Sequence, residues 1–550
     1  MQAIYNIAEI CARHGVEDAI LSPGSRCAPL TFAFVNHPSI QCKSISDERS
    51  AAYVALGMAL EKDKPVVLVC TSGTACLNYY PAIAEAYYQA IPLIVITADR
   101  PAEWIDQQDG QAIRQQNVYA NHIKKSWTLP TDHTHQDSIW HIERIMSEAL
   151  MLAQSPSKAP VHINAPFREP FYPNENEEIN YTSPKCIFTT ETEKRICDPL
   201  SIQSLVDASS KVLVVVGQQK KNEALNELLK EVNVPILCDT IANVTCDTAV
   251  QHHDLFLGSL TQEQKEQLQP DLIITFGLSV VSKNTKLFLR KYKPKRHIHI
   301  GALDQLSDTF QVLSDVVDVC PLHFFETIKL SDQKNYFFQW KSYDEMTQRE
   351  LLHFSKSKSF SEFKAIQYVL SCLTTELVLH VGNSMPIRYV NFLHPKKMEV
   401  QANRGTSGID GSLSTAVGAS ISDPQRLHLA ILGDLSFFYD RNALWNNYLP
   451  ENLKIIVLNN HGGGIFRMIQ GPNARKEREE FFVTKQKQFA KMTAIDHGLA
   501  YYSAESEQEL KENMSLFLAE KGSALLEVIT DGMENTRVFS EFKAALGAKY

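Results

Sequence analysis

Three doubly wound parallel-sheet α/β domains in succession are the fold class the sequence predicts, and three observations carry it. Short apolar runs bounded by turn residues recur along all 550 residues, separated by stretches long enough for helices. Many of the runs are continuously apolar rather than alternating, as strands buried on both faces of a parallel sheet are. Two polar seams, at 168–185 and 331–358, divide them into three series. A chain of this length exceeds one hydrophobic core, so three domains are expected, at 1–180, 181–355 and 356–550.

The chain opens on MQAIYNIAEICARHGVEDAIL, an amphipathic helix leading into a strand, without the cationic start, apolar core and cleavage site of a leader. DAILSPG, KPVVLVCTSG, IPLIVITADR and APVHINAP form the first series. The seam REPFYPNENEEINYTSPK, Arg168 to Lys185, is polar and proline-containing. SKVLVVVGQQ, VPILCDT, DLIITFG and RHIHIGA form the second series, which continues to about Leu330. After the charged stretch Ser331 to Lys358 come ELVLHVGNS, HLAILGD, LKIIVLNN and SALLEVIT. Ligands of such sheets sit beyond the carboxyl ends of the strands, so residues just after each run are the candidates for chemistry.

Composition narrows the function. With 44% hydrophobic and 21% charged residues and a formal net charge of -9, the chain has the profile of a globular protein and is poorly suited to a nucleic-acid surface. No apolar run reaches the eighteen or so residues a membrane span requires. Eleven cysteines are scattered without a C-x-x-C pair, which suits reduced thiols and a cytoplasmic location. Small-molecule chemistry is the expectation.

The stretch GDLSFFYDRNALWNNYLPENLKIIVLNNHGGGIF, Gly433 to Phe466, concentrates the signal. If HLAIL and KIIVL are neighbouring parallel strands, Asp434 and Asn460 emerge at one sheet edge as two hard oxygen donors. With a backbone carbonyl turned inward at Gly462 they suit magnesium, which takes oxygen ligands and shares them with phosphate. No G-x-x-x-x-G-K-[ST] motif is present, so this is not a Walker-type site. Gly-Asp and Asn-Asn endings also suit turns, and the spacing alone leaves both readings open. Four arginines, Arg26, Arg100, Arg388 and Arg404, stand at strand ends among Gly, Ser and Pro. Guanidinium forks pair bidentately with carboxylates, so the set suits polyanionic substrates, whereas any one of them alone suits a structural salt bridge.

The G-D-x…N-N spacing resembles the metal and diphosphate motif of the thiamine diphosphate-dependent enzymes. SDERSAAYVALG followed by TSGTA resembles the segment of that family that presents a glutamate to the cofactor's aminopyrimidine ring. SPGSRCAPL, TADRPAE, GQAIRQ, PVHINAPFREP, GNSMPIR, NRGTSGIDG, GDLSFFYD and NNHGGGIF together resemble one branch, which joins 2-oxoglutarate to isochorismate in menaquinone biosynthesis. The matches span both outer domains, and the middle domain matches poorly. Leu435 departs from the small residue usual in the family's third position, but G-D-L-S is the form of that branch.

The resemblance implies pyrimidine-binding, central and diphosphate-binding domains, in that order, and a transferase using thiamine diphosphate with Mg2+ (or Mn2+). It implies decarboxylation of 2-oxoglutarate and Stetter-like 1,4-addition of the succinyl unit to isochorismate. Glu48 would be catalytic; Asp434, Asn460 and the Gly462 carbonyl would hold the metal; Ser407, Ile409, Gly433, Leu435 and Ser436 would hold the cofactor, Ile409 as its apolar prop. Ser384, Arg388 and Arg404 would take 2-oxoglutarate. Ser25, Arg26, Arg100, Gln111 and Lys283 would take isochorismate, although Asn284 stands where the branch often has a second cation. Ile465 and Phe466 would pack against substrate, or simply begin a buried helix. A homodimer or homotetramer with active sites between subunits is implied. Another 2-oxo acid carboligase, such as an acetolactate synthase, and a non-catalytic cofactor-binding paralogue are the alternatives.

Overall fold

The computed structural model describes residues 1–169, 171–173, 178–190, 195–196, 198–303, 306–355, 359–395, 397–469 and 475–550. Of the two seams, residues 170, 174–177 and 356–358 therefore lie outside the described residues. Eighteen strands form three six-stranded sheets, and every pairing in them is parallel. The first holds β1 (Asp18–Leu21), β2 (Gln41–Ser44), β3 (Val66–Cys70), β4 (Leu93–Asp99), β5 (Ser126–Thr128) and β6 (Val161–Pro166), in spatial order β2-β1-β3-β4-β6-β5. The second holds β7 (Val212–Val216), β8 (Ile236–Cys238), β9 (Ala249–Val250), β10 (Leu272–Phe276), β11 (Arg296–Ile300) and β12 (Asp315–Val317), ordered β12-β11-β10-β7-β8-β9. The third holds β13 (Val378–Val381), β14 (Glu399–Gln401), β15 (His428–Gly433), β16 (Leu453–Asn459), β17 (Ala500–Ala504) and β18 (Ala524–Ile529), ordered β14-β13-β15-β16-β18-β17.

The first and third sheets share one topology, and the middle sheet has another. In the outer sheets the winding reverses between the first and third strands, so the crevices open beyond β1 and β3 and beyond β13 and β15. In the middle sheet the reversal lies between β7 and β10. There Gly217 and Gly277 let two loops meet backbone to backbone: Gly217 N–H donates to the Phe276 carbonyl at 2.8 Å and Leu278 N–H to that of Gln218 at 2.9 Å. A Cβ on either glycine would strike the other loop's backbone.

The outer sheets are joined through two helices, Glu48–Lys62 and Ser412–Ser422, which lie face to face in one core shared by both sheets. Residues 50–59 are buried at every position, so the helix Glu48–Lys62 is enclosed on all sides rather than amphipathic. Small residues permit this closeness. Gly57 faces the Thr415 carbonyl and Gly418 the Val54 carbonyl, each so near that a Cβ would overlap the oxygen. Gly418→Ala is accordingly expected to destabilise the chain. Overpacking costs about 1–3 kcal/mol, exceeding the ~1 kcal/mol of helix propensity gained, because the obstacle is backbone. A lowered urea midpoint checks this, and an unchanged one would mean that the helices can separate at little cost.

The second seam differs from its expected role as a charged separator. Residues Lys334–Ser355 form a 22-residue helix that buries Tyr336, Trp340, Thr347 and Leu351. The ten cysteines among the described residues are unpaired. Among the same residues no helix is long and apolar enough to cross a membrane.

Candidate active site

Strands β15 and β16 run side by side with Gly433 opposite Leu458, so the residues after them emerge together. Asp434 is 4% exposed. Its Oδ1 accepts from Leu435 N–H and its Oδ2 from Gly462 N–H, both at 2.8 Å. Burial pushes its carboxyl up to about 6, against the opposing pull of the Leu435, Gly462 and His461 N–H groups. Asn460 gives its Nδ2 to Glu362 Oε1 at 2.5 Å, while its buried Oδ1 has no hydrogen-bond partner among the described residues. Gly462 has φ +156°, and a Cβ there would lie 2.7 Å from the Val483 carbonyl oxygen. An anionic carboxylate, an unpartnered buried amide oxygen and a backbone that only glycine fits make an oxygen-donor cradle that suits a divalent ion carrying a diphosphate.

A second cluster gathers after β13 and β14. Ser384 precedes the helix Met385–Leu393 with φ 75°, and Arg388 stands one turn along that helix. Arg404 Nη1 donates to Asn383 Oδ1 at 2.7 Å, while its buried Nε has no partner among the described residues. Burial, and then Arg388, lowers the Arg404 pKa. The loop 404–410 joins the two clusters: Asn383 Nδ2 donates to the Gly408 carbonyl at 2.6 Å and Ser436 Oγ to that of Ile409 at 2.6 Å. Ser407 has φ 61° and is exposed, and the Ile409 side chain is 40% exposed. Gly433 faces Pro386, and Leu435 is half-buried. Ile465 and Phe466 are half-buried in the 3-10 turn Gly464–Arg467, with Phe466 5.7 Å from the Phe482 ring. They do not begin a long helix. His461 is half-buried, with its ring 5.3 Å from that of Phe489.

The third cluster lies beyond β1, β3 and β4. Arg26, 7% exposed, donates to the Phe167 carbonyl at 2.7 Å and lies 4.5 Å over the Phe171 ring. Burial, reinforced by Arg100, lowers its pKa. Arg100 pairs with Asp109 at 2.8 Å and donates to the Gly110 carbonyl. That tie folds the backbone of Gln111 over the Thr71–Thr74 turn, where a Cβ on Gly73 would lie 3.3 Å from Gln111 Cα. Ser25 is exposed beside Gly24, which approaches Thr71 so closely that only glycine fits.

Two further predicted residues, among the described residues, make no hydrogen bond to these clusters. Lys283 is exposed in the first turn of the helix Lys283–Lys291, in the middle series. Glu48 begins its helix, but Asp47 does the capping, accepting from Ser50 N–H at 3.1 Å and from Asn442 Nδ2 at 2.7 Å. Among the described residues the half-exposed Glu48 carboxylate accepts one hydrogen bond, a 3.4 Å contact from Asn78. Within one chain, then, Glu48 is not hydrogen-bonded to the Asp434 cradle.

Sequence reasoning missed Glu362 and Asn383, which orient Asn460 and Arg404. Glu362 is 2% exposed, and burial pushes it up to about 7, with Asp434 adding to the rise and Asn460 opposing it. Nothing local marks it, because the Ser361 cap before it makes SEFK look like an ordinary helix start.

Comparison with known proteins agrees with the geometry. Residues 1–119 match the thiamine pyrophosphate enzyme N-terminal TPP binding domain, and residues 381–528 match the C-terminal TPP binding domain. Over 560 aligned positions, covering 100% of both chains, the sequence is 44% identical to the 2-succinyl-5-enolpyruvyl-6-hydroxy-3-cyclohexene-1-carboxylate synthase of Cytophaga hutchinsonii. The synthase of the same name from Flavobacterium psychrophilum is 39% identical, covering 98% of this chain and 97% of its own. That from Bacteroides fragilis is 35% identical, covering 98% of each. Identity of this order from end to end, with both cofactor-binding modules on the two outer sheets, means that the chain belongs to the 2-succinyl-5-enolpyruvyl-6-hydroxy-3-cyclohexene-1-carboxylate synthase family of thiamine pyrophosphate enzymes.

Proposed function

We propose that the chain decarboxylates 2-oxoglutarate and adds the succinyl unit to isochorismate, releasing carbon dioxide, as a thiamine diphosphate-dependent transferase of menaquinone biosynthesis in the cytoplasm. What carries the reading is the coexistence, in a chain similar to these synthases over its full length, of the oxygen cradle with two arginine clusters in which Arg26 is buried and Arg100, Arg388 and Arg404 are half-buried. Both substrates are dicarboxylates, and arginine forks are suited to holding them.

Thiamine diphosphate, once bound, supplies the nucleophilic carbon and electron sink that decarboxylation of a 2-oxo acid needs. Asp434, the Asn460 Oδ1 and the Gly462 carbonyl would hold Mg2+ (or Mn2+), which would supply the charge compensation for the diphosphate that a P-loop lysine supplies elsewhere. Gly433, Leu435, Ser436 and Ser407 line the cofactor, and Ile409 supports it from one side. Arg388, Arg404 and Ser384 orient 2-oxoglutarate. Ser25, Arg26, Arg100 and Gln111, with Lys283 at the edge, orient isochorismate, while Ile465 and Phe466 exclude water. Glu48 would hydrogen-bond the aminopyrimidine ring and carry a proton on its carboxylate.

Because Glu48 and the cradle are not joined within one chain, the complete site takes Glu48 from a second copy, which makes a homodimer, or a homotetramer of such dimers, the working assembly. The exposed Ile409, Tyr439, Trp445 and Trp104 side chains support that reading.

The test is carbon dioxide release from 2-oxoglutarate with thiamine diphosphate and magnesium, followed together with the loss of isochorismate absorbance. One-to-one loss of both substrates is expected. Turnover of pyruvate instead would make the chain an acetolactate-type carboligase, and cofactor binding without turnover would make it a sensor.

A further inference from the structure

The loop 402–410 carries Arg404, Ser407 and Ile409, and it is held by all three parts of the chain. Its firmest anchor is Glu85, on the helix Tyr80–Tyr88 of the first series, 1% exposed. One carboxylate oxygen accepts from Gly405 N–H at 2.7 Å. The other accepts from Thr406 N–H at 2.7 Å and from the Thr406 hydroxyl at 2.5 Å. Gln89, one turn on, donates its Nε2 to Glu85 at 2.6 Å, and its Oε1 receives Gln218 Nε2 from the middle sheet's switch point at 2.8 Å. Gln218 also donates to the Ala402 carbonyl at 2.9 Å, and Ser279 Oγ to that of Arg404 at 3.2 Å. The fit is close: a Cβ on Gly405 would lie 2.7 Å from the Glu85 carbonyl and 3.0 Å from Tyr88 Cβ.

Among the described residues Glu85 hydrogen-bonds none of the substrate-facing side chains, and it reaches the Arg404 guanidinium only through its charge. Its buried carboxylate instead accepts from two successive backbone N–H groups immediately after Arg404, and charge-assisted bonds of that kind are the strong ones. They fix where the Arg404 backbone sits, and hence where its guanidinium reaches beside Asn383. We infer that Glu85 is a positioning residue, which through Gly405 and Thr406 sets the placement of Arg404, and so the affinity for 2-oxoglutarate, from a helix of the first domain. The inference rests on the role proposed above for Arg404.

Glu85→Gln tests it, because the amide that replaces one oxygen would face a backbone N–H and push the loop away. Thr406→Val is a milder second variant that removes only the hydroxyl bond and preserves volume, should the first fail to fold. Two readouts are needed. Hydrogen exchange over 402–410 should quicken in both variants, independently of activity. Steady-state kinetics should show KM for 2-oxoglutarate raised about tenfold or more in Glu85→Gln, since displacements of about 1 Å from a distance can cost two orders of magnitude in rate. KM for isochorismate should stay within about twofold, and Thr406→Val should shift in the same direction by less. Unchanged exchange would overturn the anchor. Faster exchange with both KM values moving equally, or neither moving, would overturn the positioning role and leave a structural one. If the unaltered enzyme does not consume 2-oxoglutarate, the functional reading itself fails, which is a separate and recognisable result that also removes the substrate assigned here.

Discussion

Glu48→Gln is expected to lower turnover about 100- to 10,000-fold, the usual worth of a positioned general acid or base, while cofactor binding and thermal stability stay close to those of the unaltered enzyme. The separation follows from where Glu48 stands. Its carboxylate is half-exposed and makes one long contact with Asn78, so the chain's own fold asks little of it. Capping of the helix belongs to its neighbour Asp47. An isosteric amide should therefore cost stability no more than about 0.5 kcal/mol, as surface substitutions usually do. Asp47→Ala should show the opposite pattern, losing about 1 kcal/mol with the cap together with the Asn442 contact. Measuring kcat, magnesium-dependent thiamine diphosphate binding and Tm for both variants separates the two acids. Equal turnover in Glu48→Gln would reduce that carboxylate to a favourable charge at a helix N-terminus.

What was legible in the sequence, and what was not, follows sheet position closely. All twelve interior strands lie in apolar runs visible beforehand, whereas β2, β5, β9, β12, β14 and β17, the six edge strands, escaped. The reason is physical. An interior parallel strand is buried on both faces and so draws mostly on apolar residues, as VVLVC and LIITF do. An edge strand is pinned on one side only, and QCKS in β2 has no buried residue at all. The second seam misled for a related reason, its charges hiding a stripe at helical spacing from Tyr336 through Trp340 and Thr347 to Leu351. In the site, Asp434, Asn460, Arg26, Arg100 and Arg388 were legible because they follow interior strands, whereas Arg404 follows the edge strand β14 and was legible only through the motif NRGTSGIDG. Glu362 and Glu85 were not, because their partners lie 98 and 320 residues away in the chain, beyond the reach of any local motif.

Asp434→Asn should weaken magnesium-dependent cofactor binding more than about 100-fold, since loss even of an outer partner of a metal ligand costs 10- to 100-fold. Asp434 is the carboxylate that would bind the metal in the proposed cradle, and an amide there would also turn N–H against one of the two backbone N–H groups the carboxylate now receives. Proton competition adds a pH signature. Burial raises Asp434 to about 6 and Glu362 to about 7 in the metal-free chain, so metal affinity should fall as pH drops through that window, where the ligand must first lose its proton. Stability of the metal-free chain runs the other way. A carboxyl whose folded pKa lies above its ordinary value binds protons more tightly folded than unfolded, so its contribution is fully present below the ordinary value and is lost as pH rises through the folded one. Between about pH 4 and 7 these two groups therefore make the metal-free chain less stable with rising pH, and magnesium with diphosphate should reverse that trend by taking the ionised form. Asp434→Asn, with nothing to titrate at that position, should show a shallower slope of Tm against pH than the unaltered chain. A metal affinity flat from pH 5 to 8, or identical slopes in the two proteins, would place the metal elsewhere, and the buried, unpartnered oxygen of Asn460 would then need another occupant.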